Sequence, residues 1–208
     1  MILVDTNVFV YALDSGDETK HEKAVELLQR LGPHHVCVST QVLSELAHVM
    51  THPDKLAMPV GDAMETLQAL ATSCVVLPVG YREVMAALHA RAEWQLQHYD
   101  AQLWAVASLN GIRTVLSEDF SAGAVLGGVE FMDPFDEDLD IEALVARGAC
   151  LDDSTEDNLV RELRRARAVE AAIALQRASG ETGKDELSDE EIAAEIAEAR
   201  RDDRGRSG

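Results

Sequence analysis

Ile2-Leu3-Val4-Asp5-Thr6-Asn7-Val8 is the stretch whose reading decides the fold of this chain. Three apolar residues in a row suit a short buried strand. The Asp-Thr-Asn that follows can turn the backbone and start a helix. A strand handing directly to a helix is half of a β–α unit, and the same exchange recurs down the chain. The pattern predicts a helical turn over 8–13 and an amphipathic helix over 18–31, with Val25, Leu27, Leu28 and Leu31 on one side and Gly32-Pro33 as its stop. It then predicts a strand over 35–39, helices over 40–51 and 61–72, a strand over 74–79, and helices over 82–95 and 99–109. Strands over 112–116 and 129–132 follow, the latter closed by Asp133-Pro134. Apolar strands alternating with helices predict a parallel sheet covered on both faces.

Composition sets the outer limits. Of 208 residues, 47% are hydrophobic and 27% charged, as in a soluble globular protein with one ordinary domain and an extension. Aromatic residues are only 4%, so the core is aliphatic. No run of about eighteen apolar residues exists, which excludes a membrane helix. The opening MILVDTNVFV shows neither the basic region nor the small-residue cleavage site of a secretion signal, so secretion is not expected. Cys37, Cys74 and Cys150 show no metal-binding spacing, so a reducing cytoplasm is the expected setting. The net charge is −20. A nucleic-acid-binding protein normally presents a basic face, so any contact with nucleic acid here needs bound cations or a few local arginines.

Four acids fall where an open parallel sheet binds its ligands, beyond the carboxyl ends of the strands. Asp5 follows the first strand, Glu45 lies early in the helix after the second, Asp100 opens a helix, and Asp119 follows the strand over 112–116. Asp5 and Asp119 also suit turns or helix caps, and Asp100 a helix N-terminus. Glu45 shares a face with Val42 and Val49, and Asp100 with Leu103, Trp104 and Ala107. A carboxylate on a buried face is costly unless paired or bound to metal. One shared cation explains all four, and all-oxygen ligands favour Mg²⁺ or Mn²⁺ over zinc. Thr6, Asn7, Ser39 and Ser117 can add neutral hydrogen bonds, with helix capping the simpler role for Ser39. Phosphate-binding, dinucleotide and serine-hydrolase motifs are absent. The histidines offer no third ligand, and Trp94 and Trp104 suit the core.

In order, Val4-Asp5-Thr6-Asn7-Val8, Ser39 through Glu45, Tyr99-Asp100-Ala101, Leu116-Ser117-Glu118-Asp119, and Gly128-Val129 leading to Asp133-Pro134-Phe135 resemble a PIN domain. They are most similar to the VapC ribonuclease toxins of VapBC toxin–antitoxin systems. The resemblance covers residues 1–136. It implies an α/β/α sandwich with a central parallel sheet and Mg²⁺- or Mn²⁺-dependent cleavage of RNA. It also implies an acidic cluster of Asp5, Glu45, Asp100 and Asp119, with Thr6 or Asn7 as helpers and commonly a homodimer. Ser117 and Glu118 stand beside the fourth acid, which is the least regular of that family, and Glu118 is the alternative to Asp119. The same residues leave room for a PIN scaffold with an idle site that binds a partner. They also leave room for a nuclease of RNA processing or DNA repair.

The charge density changes near residue 150. Residues 1–149 hold 8 Lys and Arg against 22 Asp and Glu, and residues 150–208 hold 10 against 16. The expected organisation is a nuclease-like domain over 1–136, a helical edge over 137–153, and a charged helical tail over 154–208. Ser154-Thr-Glu-Asp157 and Ser188-Asp-Glu-Glu191 have the pattern of helix-starting capping boxes. Residues 187–201 are similar to the toxin-binding end of VapB-type antitoxins, a resemblance that implies an arginine reaching the acidic site. Arg200, Arg201, Arg204 and Arg206 are the candidates. The tail, or a separate antitoxin, is therefore the expected protein partner.

Overall fold

The computed structural model describes residues 1–32, 35–120 and 123–148. The expected tail helices and Arg200, Arg201, Arg204 and Arg206 lie outside the described residues. The chain runs β1 (Ile2–Val4), α1 (Thr6–Leu13), α2 (Glu18–Leu31), β2 (Val36–Ser39), α3 (Thr40–Thr51), α4 (Val60–Ser73) and β3 (Val75–Leu77). It continues through α5 (Tyr81–Trp94), α6 (His98–Leu109), β4 (Thr114–Leu116), β5 (Val125–Leu126), β6 (Val129–Met132) and α7 (Ile141–Gly148).

The strands form one sheet in the order β3-β2-β1-β4-β6-β5. All neighbours are parallel except the β5–β6 pair. The result is the expected α/β/α arrangement, with one correction: the sheet is mixed at its edge. The cause is Gly127-Gly128, both at positive φ, which joins Leu126 to Val129 in a two-residue hairpin. That strand was not anticipated.

Three element boundaries also shift. Helix α1 starts at Thr6 rather than residue 8, because the Asp5 side chain accepts from Thr6 N and caps it. The Ile112 amide still bonds to Ala107 O at the end of α6, so β4 begins only at Thr114. Cys74 closes α4 through its amide to Leu70 O, and so precedes β3 instead of lying within it.

The main core is aliphatic. β1, β2 and β4 are buried along their length and pack with Val8, Phe9, Leu13, Leu27, Leu31, Leu46 and Leu103. Helix α7 joins this core through buried Leu144, and Glu142 on it pairs with Arg30 of α2. A second, smaller cluster sets α5 against α6 through Ala87, Ala90, Ala101 and Ala105. Such small residues let the two helices approach closely. Trp94 and Trp104 meet edge to face at its border, 4.8 Å between centroids, and Trp104 Nε1 donates to Leu126 O at 2.9 Å. Both tryptophans are thus packed. No helix among the described residues is long and apolar enough to cross a membrane.

Candidate functional site

Strand order locates the site. From β1 the chain moves outward to β2 and β3, then returns to place β4 on the other side of β1. The direction of winding reverses between β1 and β4. A crevice opens at such a point, at the carboxyl ends of the strands. Val4 of β1 is level with Leu116 of β4, so the residues just beyond them, Asp5 and Ser117, emerge side by side. The Asp5 amide bonds to Leu116 O at 3.0 Å, and Ser117 Oγ donates to Asp5 Oδ2 at 2.8 Å.

From Asp5 the hydrogen bonds continue laterally. Thr6 N donates to Asp5 Oδ1 at 2.7 Å, and Thr6 Oγ1 donates to Glu45 Oε2 at the same length. Gln41 Nε2 donates to the other oxygen of Glu45 at 3.1 Å. Ser117, Asp5, Thr6, Glu45 and Gln41 are all buried and make one continuous chain across three strands' ends. Glu45 reaches it because α3 begins directly after β2. Ser39 Oγ caps that helix through Val42 N, as its simpler role predicted. Two turns place Glu45 on the inward face, and Gln41 lies one turn before it on the same face.

A second group lies beyond β4. Asn7 Nδ2 donates to Glu118 Oε1 at 3.1 Å and reaches Asp119 Oδ2 at 3.4 Å. Lys20 Nζ donates to Glu118 Oε2 at 3.1 Å and to the Tyr11 hydroxyl at 3.0 Å, and it lies over the rings of Tyr11 and Phe135. Ser117 Oγ joins the two groups, since it also accepts from Asp119 N at 3.3 Å. Burial pushes the Glu118 carboxyl above the ordinary carboxylate range; Lys20 opposes this and neighbouring Asp119 adds to it. Burial alone would lower Lys20, but its hydrogen bonds to Tyr11 and Glu118 outweigh that and hold it above the usual lysine value.

Asp100 occupies the first turn of α6 and is half-buried. Helix α6 leads back to the start of β4, so its N-terminus lies towards the edge where β4 ends. Topology thus brings Asp100 to the same side of the sheet as the other three acids. Asp119 is exposed and Glu118 half-buried. Sequence reasoning missed Gln41 and Lys20. Gln41 was detectable as the residue one helical turn before an inward-facing acid. Lys20 carries no such mark, because its partners Tyr11 and Glu118 are brought to it by tertiary packing.

Among the described residues, two amide oxygens at the site are buried without a hydrogen-bond partner, Asn7 Oδ1 and Gln41 Oε1. Each belongs to an amide whose nitrogen holds a carboxylate of the site. Among the described residues, no three His, Cys, Asp or Glu side chains are gathered as a metal-holding group. Mg²⁺ does not require one, since it usually keeps several waters and takes only one or two carboxylates. Fixed carboxylates with unsatisfied carbonyl oxygens beside them suit such a hydrated ion.

No curated protein matches the chain closely enough to be compared with it. A family model does match. The PIN domain covers residues 2–124, a span that holds the whole hydrogen-bonded network from Asp5 to Asp119. Enzymes built on this domain are generally metal-dependent nucleases. With more than half of its length matched, and its acids at the switch point of a mostly parallel sheet, the chain belongs to the PIN-domain family.

Proposed function

We propose that this protein is a Mg²⁺- or Mn²⁺-dependent endoribonuclease, the toxin of a toxin–antitoxin pair. Asp5, Glu45, Asp100 and Asp119 hold the divalent cation in this reading. When bound, the ion activates water and offsets the charge that develops on the phosphate. The chain's own residues prepare the place. Thr6 fixes Asp5 and Glu45 together, Ser117 fixes the second oxygen of Asp5, and Asn7 steadies the acids after β4. Between Glu118 and Asp119, the exposed Asp119 is the better ligand, because Asn7 and Lys20 each engage one oxygen of Glu118.

The observation that carries this reading is that two buried carboxylates are anchored on one residue, Thr6. Such a pairing leaves two negative charges close together in the core, and a bound cation relieves it. The partners proposed are an RNA, an antitoxin or the chain's own tail, and a second copy of the chain. Exposed Val60 and Met64 on α4, with Tyr81, Met85 and Leu88 on α5, offer apolar surface for a protein partner.

The test is cleavage of RNA by the purified full-length protein with Mg²⁺ or Mn²⁺, beside Asp5→Asn and Asp100→Asn. Both variants are expected to lose cleavage while keeping the parental circular dichroism. An Asp100→Asn protein as fast as the parent would remove Asp100 from the site. Growth arrest on expression, relieved by Asp5→Asn, separates a toxin from a processing nuclease or an idle scaffold.

A further inference from the structure

We propose that Gln41 is a positioning residue of the cation site, holding Glu45 in place and accepting a hydrogen bond from a water that the cation carries. The inference rests on the reading of this site as a cation site. Gln41 is 8% exposed, on the first turn of α3. Its Nε2 donates to Glu45 Oε1, while Thr6 Oγ1 takes Oε2, so the carboxylate is gripped from both sides. These bonds fix the amide's orientation, because a carboxylate can be met only by the nitrogen. The oxygen left over, Oε1, is buried and has no hydrogen-bond partner. It shares its carbon with the nitrogen that holds Glu45, and so lies beside that carboxylate.

A buried carbonyl oxygen without a donor costs free energy and calls for an explanation. A hydrophobic neighbourhood would not supply one. A donor arriving with a ligand of Glu45 would. Hydrated divalent ions bring such donors, since their waters point hydrogens outward. Asn7 repeats the pattern on the other side of the site. It is 2% exposed, its nitrogen is held by Glu118 and Asp119, and its Oδ1 is equally unpaired. Two amides that hold different acids of one hydrogen-bonded network, each with its nitrogen used and its oxygen unpaired, are better explained by one hydrated guest than by two separate defects of packing.

Groups that orient metal-binding side chains typically change metal affinity 10–100-fold when removed. The experiment measures Mn²⁺ binding to the full-length protein without RNA, from the loss of the free-ion electron paramagnetic resonance signal. Gln41→Met keeps the length of the side chain and removes both polar atoms. Gln41→Asn keeps the amide and withdraws it by one methylene, and serves should the first variant fail to fold. Each is expected to weaken Mn²⁺ binding by about tenfold or more, with a lower melting temperature in EDTA from the lost bond to Glu45 but the parental circular dichroism. Parental affinity in a folded variant would overturn the role of Gln41 while leaving the cation site standing. A parental protein that binds no Mn²⁺ would overturn the cation site itself, and this inference with it.

Discussion

Replacing Glu45 by glutamine tests whether this buried acid serves a ligand or the fold. Glu45 accepts from Thr6 Oγ1 at 2.7 Å and from Gln41 Nε2 at 3.1 Å. Hydrogen bonds to a charged group are worth about 1.5–3 kcal/mol and neutral ones about 0.5–1.5, so neutralising Glu45 weakens the two by about 2 kcal/mol together. The opposing gain comes from Asp5. Carboxylates anchored on N and Oγ1 of one residue are on the order of 5–8 Å apart, and at an effective dielectric of about 20 their repulsion is about 2–3 kcal/mol. Shape is no obstacle. Glutamine at 45 replaces one acceptor oxygen by an amide nitrogen, and Gln41 can accept from it by turning its unpaired Oε1 inward.

The two effects nearly cancel. Stability of Glu45→Gln in metal-free buffer should therefore lie within about 1 kcal/mol of the parent, or about 2–4 °C in melting temperature for a chain of this size. Metal binding should not survive so well. At a Mn²⁺ concentration about 100 times the parental Kd, the ion stabilises the parent by about 2.7 kcal/mol. A tenfold weaker site gains only about 1.4 kcal/mol, so the Mn²⁺-induced rise in melting temperature should fall to about half. Thermal denaturation with and without Mn²⁺ measures both quantities. A loss of about 3 kcal/mol or more in EDTA would show that Glu45 is a structural anchor. A full Mn²⁺ shift in the variant would show that it is no ligand.

Two other perturbations probe the surroundings. Lys20→Met removes the group that pulls Glu118 down, so the Glu118 pKa, already raised by burial, should climb further in an NMR titration. A carboxyl with a raised folded pKa contributes stability below its ordinary range and loses it as pH rises through the raised value, so the variant's deficit should widen as pH rises past the parental Glu118 value; a pH-independent deficit would refute the coupling. Gly127→Ala should cost about 1–3 kcal/mol, because φ is +54° there and the new Cβ would lie 3.2 Å from both Trp94 and Trp104. A parental melting temperature would show that the β5–β6 turn can shift at no cost.

Much of this architecture is written locally. Helix α2 is readable because Asp17 and Gly32 bracket an amphipathic run, and both ends fall where the pattern puts them. Inward-facing Glu45 is readable because a buried helix face has a period, and an acid on that period needs a reason. The hairpin of β5 was in principle equally legible, since Gly127-Gly128 sits between Val125-Leu126 and Val129, but a two-residue strand is too short for alternation to show. What sequence could not give was Thr6 as the common anchor of Asp5 and Glu45, or Lys20 on Glu118. Those contacts join residues 39 and 98 positions apart, and only the winding of the sheet brings them together.

The charge of the chain and the geometry of its site belong to one argument. A polyanion approaching a protein of net charge −20 meets repulsion almost everywhere. Lys20, which bonds to the site through Glu118, is turned inward onto Tyr11 and that acid. It neutralises an acid of the protein and offers little to a phosphate. On the proposed function, the attraction for RNA must therefore come with the divalent ion, and the residues around it must hold that ion without first collapsing onto it. The hydrogen bonds of the site are arranged in that sense. Thr6, Ser117, Asn7 and Gln41 all donate to the acids, which holds the carboxylates in place without adding a positive charge. Neutral donors leave the net negative charge in place for the ion to find. The acidity that repels a polyanion is then the means by which the cation is retained.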